Sequence, residues 1–363
     1  KSINNSENSA DFAWAVAVDT GGNIVVAGSI AVSGHGLDAW VRKFGPDGEV
    51  VWTYTFDGPA GSDDEALAVS IDDEGSGSVF IAGYQTTVDA GTDMIVQELD
   101  PSSGTVLWSD DWDGEGLDDR ARGVDLDSHG HVIYVGTETY PKDDGTTIYR
   151  GWVMHDTRAG GGSRAGGVAG FSGVAVMVDS SDNIFEVYDT GRGLYVRKED
   201  NATVSIWNQY TPGASGTTQG YGLHGGIVVA PDGNPVVAGS ATSAEKGKDV
   251  FIRKLSSADG ATVWTQQFDG GASVDDEAMA IAADADGNIA VSGYVGVAGS
   301  PQVAWIARYD SDGKQYWHNE LGTTTGDCAA TGVAIDSLGH VIVVVTEPTA
   351  GESHNIKLVK YSP

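Results

Sequence analysis

The side chains best suited to chemistry in this 363-residue chain are carboxylates that recur at equivalent places. Asp63-Asp-Glu65, Asp118-Asp-Arg120 and Asp275-Asp-Glu277, together with Asp11 and Asp327, precede strands of similar sequence. Carboxylates brought within a few ångströms of one another repel, unless a hard cation that takes six to eight oxygens, such as Ca²⁺, neutralises them. This makes Asp64, Asp119, Asp276 and Asp327 the candidate metal ligands and Ca²⁺ the candidate cofactor. The alternative is that each Asp caps its own turn by accepting nearby backbone N–H groups.

A second set of candidates consists of charged or polar residues at positions where equivalent segments are apolar. Glu186 stands where other repeats have Val26, Ile81, Tyr134, Val237, Val291 and Val343. Arg122 replaces Trp14, Leu67, Val174 and Met279. Asp125 replaces Ala17 and Ala334, His224 takes a place otherwise held by Ala or Gly, and Arg150 reverses the charge of Asp38, Asp93 and Asp249. Local rules fail most often at functional or strained sites. Arg122, Asp125, Arg150, Glu186, Tyr188 and His224 are therefore the candidate ligand-binding residues. Arg122 is expected to pair with Glu186, and Tyr188 and Tyr221 to complete one wall of a pocket near the axis.

Other patterns carry less. Asp284-Ala-Asp-Gly-Asn288 resembles a calcium loop, but Val295 occupies the twelfth position, where a bidentate Glu is required. His129-Gly-His131 has a spacing that a metal accepts, yet it reads as a hairpin turn. The glycine run from Gly160 to Gly167 lacks the Lys and the helix of a phosphate loop. Cys328 is the lone cysteine, so no disulfide forms within the chain, and it reads as a small buried thiol.

The elements that must position these residues follow from an internal period of about 50 residues, repeated seven times. Each repeat opens on a strand of small residues, such as Ala13-Trp-Ala-Val-Ala-Val, and turns at a segment such as Asp19-Thr-Gly-Gly-Asn23. A strand apolar on both faces follows, such as Ile24-Val-Val-Ala-Gly28, then an alternating one such as Trp40-Val-Arg-Lys-Phe44. The fourth opens on Trp52, Trp108, Trp207, Trp264 or Trp317. Four antiparallel strands per repeat predict an all-β, seven-bladed β-propeller forming one domain over residues 1–363. The seventh repeat stops at Lys357-Leu-Val-Lys-Tyr361 without a fourth strand. Lys1 to Ile3 overlay Tyr54 to Phe56, so the first residues are expected to supply it.

The run Asp-x-x-Gly-Asn, Val-x-x-Gly, Asp-x-x-x-x-Lys and Gly-x-x-x-Trp resembles the bacterial SBBP (seven-bladed β-propeller) repeats. The match runs the length of blades one, two, five and six and part of the others. That resemblance implies a propeller in a secreted, periplasmic or cell-surface setting, and no shared chemistry.

Composition narrows the function. Asp plus Glu number 52 against 20 Lys plus Arg, a net charge of −32, which opposes nucleic acid and anionic membrane surfaces. No apolar run is long enough to span a bilayer. The chain is expected to be an exported monomer, since it starts in mid-pattern without Met. Its expected role is binding, Ca²⁺-dependent if the aspartates converge, of a glycan, a protein or a small polar ligand at the channel face. Two alternatives remain. One is a polysaccharide lyase or hydrolase using Arg122, Tyr188, Tyr221 and His224. The other is a purely structural surface domain.

Overall fold

The computed structural model describes all residues except 4–9, 74, 89–90, 115–116, 143, 145, 159–162, 192, 213, 216–225, 244–246, 272–273, 323–325 and 350–351. Its seven sheets are the seven expected blades. In blade 1 the strands Asp11–Val18, Ile24–Val32, Gly36–Phe44 and Val50–Phe56 pair in sequence order, antiparallel throughout. Consecutive inner strands pack side by side around the ring, and the seventh packs on the first. Blade 5 differs in that the short strands Ile227–Val229 and Ala214–Ser215 both pair with Pro235–Ser243.

The ring closes as the sequence predicts. Ser2 and Ile3 pair with Lys357 and Ile356, and the Leu358 N–H donates to the Lys1 carbonyl at 2.8 Å. Ile3 is buried against Trp40, Ile356 and Leu358. At the inner edge the Thr331 hydroxyl of blade 7 donates to the Ala13 carbonyl of blade 1 at 2.6 Å.

The repeat motifs have simple physical roles. Six inner strands carry a β-bulge at one place, at Trp14, Leu67, Arg122, Val174, Met279 and Thr331. In blade 1 the strand beside the bulge crowds Gly28, where a Cβ would lie 2.0 Å from the Phe12 carbonyl oxygen. Only glycine fits, which accounts for the Val-x-x-Gly element. The outer-strand Trp is a tie between blades: the Trp52 indole donates to the Pro101 carbonyl at 3.0 Å, and Trp207 and Trp264 repeat the bond to Ser257 and Ser311. Gly104, at φ +70°, lies against the Trp52 ring, where a Cβ would come within 2.6 Å.

The hairpin Asp completes the set. In blade 1 the Asp19 carboxylate accepts the Asn23 N–H at 2.7 Å and lies 3.4 Å from Lys43 of the third strand. The same hairpin-to-third-strand pairing recurs as Asp179–Lys198, Asp232–Lys254, Asp284–Arg308 and Asp336–Lys360.

Because Ile3 both pairs and fills the seam, Ile3→Ala should destabilise the protein by about 2–5 kcal/mol. Removing Lys1 to Ile3 should cost more. Urea unfolding measures both, and amide exchange should locate the loss of protection on Ile356 to Leu358.

Candidate functional site

Blade 4 holds a buried charge network where a channel wall was expected. Glu186 on Ile184–Asp189 lies directly across from Arg197 on Gly193–Glu199. Arg197 donates to Glu186 Oε2 through Nε at 2.9 Å, and its Nη2 lies 2.7 Å from the same oxygen. Tyr188 donates its hydroxyl to that oxygen at 2.6 Å, and Arg197 also lies 3.2 Å from Glu199. Burial pushes Glu186 up to about 8 against the pull of Arg197, and raises Glu199 as well. Two carboxylates share one guanidinium, so the network keeps a proton near neutral pH.

This corrects two expectations. Glu186 pairs with the Arg of its own blade rather than with Arg122. Tyr188 packs on Ile133 and Val153 in the junction between blades 3 and 4, away from the channel. The signal was in the sequence, because Arg197 falls in the same Val-Arg-Lys run that places Arg42 opposite Val26.

The repeated aspartates act locally. Asp64 accepts the N–H groups of Gly58 and Thr86 at 2.5 and 2.6 Å. Asp119 accepts those of Gly114 and Thr139, and Asp276 those of Gly270 and Gly296. Each therefore ties the end of one blade to the second strand of the next. Burial raises Asp64 and Asp119 to about 6, and the carboxylates that add to the effect lie in the same junction. Asp327 corresponds to Asp63 rather than to Asp64. It accepts the Gln302 N–H at 2.8 Å and borders a groove of about 500 Å³ with Asp275 and Tyr294. Cys328 is buried, as expected.

Arg150 stacks on Tyr140 and Trp152, with ring centroids 4.4 and 5.2 Å from its guanidinium carbon. His224 and Tyr221 lie outside the described residues.

The channel joins the two remaining candidates. It has a volume of about 320 Å³ and is walled by small residues of the inner strands, Ala15, Ala68, Ala175, Ala280 and Gly332 among them. Two charged side chains of blade 3 enter it, both on the strand Arg120–Leu126. Arg122 is the bulge residue, and bulges re-aim side chains. No hydrogen bond or ion pair of Arg122 occurs among the described residues. Burial, followed by repulsion from Arg120, lowers its guanidinium to about 10. Asp125 lies three residues on, toward the hairpin end. It accepts the Val178 N–H at 2.8 Å and the Ser70 hydroxyl at 3.3 Å, and burial raises it to about 6.

Past Asp125 the channel wall continues into a basin of about 670 Å³ on the hairpin face, sharing Ile71, Asp73 and Asp125 with it. Asp72, Asp127, Asp179 and Asp182 line the basin as well. The excess of charge has a cause in the third strands. At the place of Lys43, blades 2 and 3 carry Glu98 and His155, whose registers against Trp108 and Ser163 match that of Lys43 against Trp52. Burial lowers His155 and favours its neutral form, and Glu98 draws Arg158 to 3.1 Å. The third strands of blades 2 and 3 thus give their hairpins no Lys or Arg at this place, although Arg158 lines the basin and His131 Nδ1 lies 2.7 Å from Asp127.

No protein-family model matches the chain, and no curated protein matches it in sequence. Solved structures do. A protein of unknown function from Dyadobacter fermentans superposes with a TM-score of 0.51 at 14% identity, over 81% of this chain and 93% of the other. Puromycin hydrolase superposes with a TM-score of 0.56 at 12% identity, over 96% of this chain and 51% of the enzyme, so the chain spans about half its length. BamB from Moraxella catarrhalis aligns over 99% of this chain and 96% of its own at 13% identity, with a TM-score of 0.42. At these identities the likeness shows the fold alone.

The buried network gives a contrast between two substitutions. Glu186→Gln keeps an acceptor for Tyr188 and removes a charge that burial already disfavours, so it should change stability by less than about 1 kcal/mol at pH 7. Arg197→Met leaves two buried carboxylates without their cation and should cost about 3–5 kcal/mol. Denaturant unfolding at pH 7 distinguishes the two.

Proposed function

We propose that the protein is an exported binding propeller that holds a small zwitterionic ligand, of amino-acid or dipeptide size, in its channel. The observation that carries this reading is Arg122, a half-buried guanidinium that borders the channel with no hydrogen bond or ion pair among the described residues. A ligand carboxylate would pair it through charge-assisted hydrogen bonds. Asp125 and Asp73 give the other end of the channel the opposite sign. An ammonium group is the complement there. Between them the wall is apolar, and about 320 Å³ lies at the lower end of small-molecule pockets.

The acidic basin fits this polarity, because it draws the cationic end of a ligand to the mouth beside Asp125. Catalysis gains less support, since Tyr188 lies in a blade junction and only Arg122 of the described lyase candidates enters the channel. The exported setting rests on the resemblance to SBBP repeats. No helix in the described residues is long and apolar enough to cross a membrane.

Calorimetric titration with amino acids and dipeptides tests the proposal. A zwitterion should bind more tightly than its amide or its N-acetyl derivative, each of which lacks one charge. Arg122→Met should abolish binding. Affinity should hold above pH 6 and fall as Asp125 takes up its proton near pH 6, since the ammonium group requires the ionised carboxylate. Equal affinity for the zwitterion and both single-charge derivatives would sink the reading.

A further inference from the structure

A second polar cluster lies at the rim of blade 1, away from the channel. The third strand Gly36–Phe44 and the outer strand Val50–Phe56 pair with Ala39 opposite Phe56. Continuing that register sets Asp38 against Asp57. Like charges directly opposite on neighbouring strands are destabilising. The same arrangement recurs where Met94 pairs with Trp112 and Val250 with Phe268, which sets Asp93 against Asp113 and Asp249 against Asp269.

Blade 1 adds a nitrogen. His35, in the turn before the third strand, places Nδ1 2.7 Å from Asp57 Oδ2. One ring nitrogen of His35 and one oxygen each of Asp38 and Asp57 lie within 4.8 Å of one another. His35 and Asp57 are accessible to solvent, while Asp38 is 8% exposed. Its Oδ1 is buried with no hydrogen-bond partner. An unpartnered carboxylate oxygen, buried among acidic neighbours and facing an imidazole, is the surrounding that a bound cation would satisfy. Among the described residues the other blades do not offer the same set. In the cluster of Asp249, Asp269 and Asp276, both oxygens of Asp276 already accept backbone N–H groups.

We infer that His35, Asp38 and Asp57 form a divalent-cation site at the rim of blade 1, with solvent completing the coordination. One imidazole and two carboxylates suit a borderline ion such as Zn²⁺, Co²⁺ or Mn²⁺, whereas Ca²⁺ prefers six to eight oxygens. The ion would bridge the third and outer strands of blade 1 and remove the repulsion between them. This site is independent of the channel ligand and shares no residue with it.

Zn²⁺ alone is the probe. His129 and His131 stack at 5.7 Å near Asp127 and could take the same ion, so the titration uses the full chain carrying His129→Gln and His131→Gln. Calorimetry should show one saturable Zn²⁺ site in that background, with a raised melting temperature. Adding Asp38→Asn or His35→Gln should weaken binding by more than about 10-fold. Co²⁺ should bind with the visible absorption of a nitrogen- and oxygen-ligated ion, lost in Asp38→Asn. Ca²⁺ should not compete at equal concentration. The site is overturned if the background protein binds no Zn²⁺, or if both substitutions leave its affinity unchanged. A melting temperature raised by Asp38→Asn without metal, in a protein whose parent does not respond to Zn²⁺, would assign Asp38 to repulsion alone.

Discussion

A ring of separate sheets has one seam, where the two ends of the chain meet, and here the seam is held by two residues pairing with two. Ser2 and Ile3 complete the sheet begun by Ala329–Ile335, and Ile3 fills the space between Trp40 and Ile356. Everything at the axis depends on that pairing. Seven inner strands share one channel only while each blade holds its neighbours at a fixed angle, and six junctions cannot hold that angle if the seventh opens. Covalent help is absent, because Cys328 is the lone cysteine. The ring rests on packing, on the Trp-to-carbonyl ties, and on the aspartates that join the end of one blade to the next.

Those aspartates show how an acidic chain tolerates its charge. With 52 acidic and 20 basic residues, few carboxylates can have a cation of their own. Asp64, Asp119 and Asp276 accept two backbone N–H groups each, which stabilises an ionised carboxylate without any positive residue. Lys43, Lys198, Lys254, Arg308 and Lys360 of the third strands go to hairpin aspartates instead. Where that supply fails, in blades 2 and 3, negative charge gathers into the basin.

The fold was legible because the repeat is read seven times over, so one ambiguous strand is corrected by six others. Closure by the first residues followed from counting alone. The irregular positions were legible as exceptions and less so as partners. Arg122 and Asp125 were singled out because each replaces a small or apolar residue, and both do line the channel. Glu186 was singled out on the same ground and turned out to be paired across its own hairpin with Arg197. A substitution pattern says that a residue is unusual; the face it points to depends on register and on which side of a twisted blade it lies. Asp38, by contrast, obeys the repeat, and an unmet oxygen on a residue of ordinary type leaves no trace in the sequence.

Glu186 and Arg122 contrast a charge met within the protein with one that borders the channel. Both are charged residues in places that other repeats reserve for other side chains, but Glu186 is fully buried and Arg122 only half-buried. Glu186 Oε2 takes three contacts from two partners, Tyr188 and Arg197, so its charge is met within the protein, although Oε1 is buried without a hydrogen-bond partner. Arg122 faces the channel without one, on a bulge that carries a buried apolar side chain in blades 1, 2, 4 and 6. Replacing it with Leu, as in blade 2, would restore the repeat and remove the charge from the channel. On the proposed function, a guanidinium kept at a place the repeat gives to apolar side chains serves the anionic end of the channel ligand.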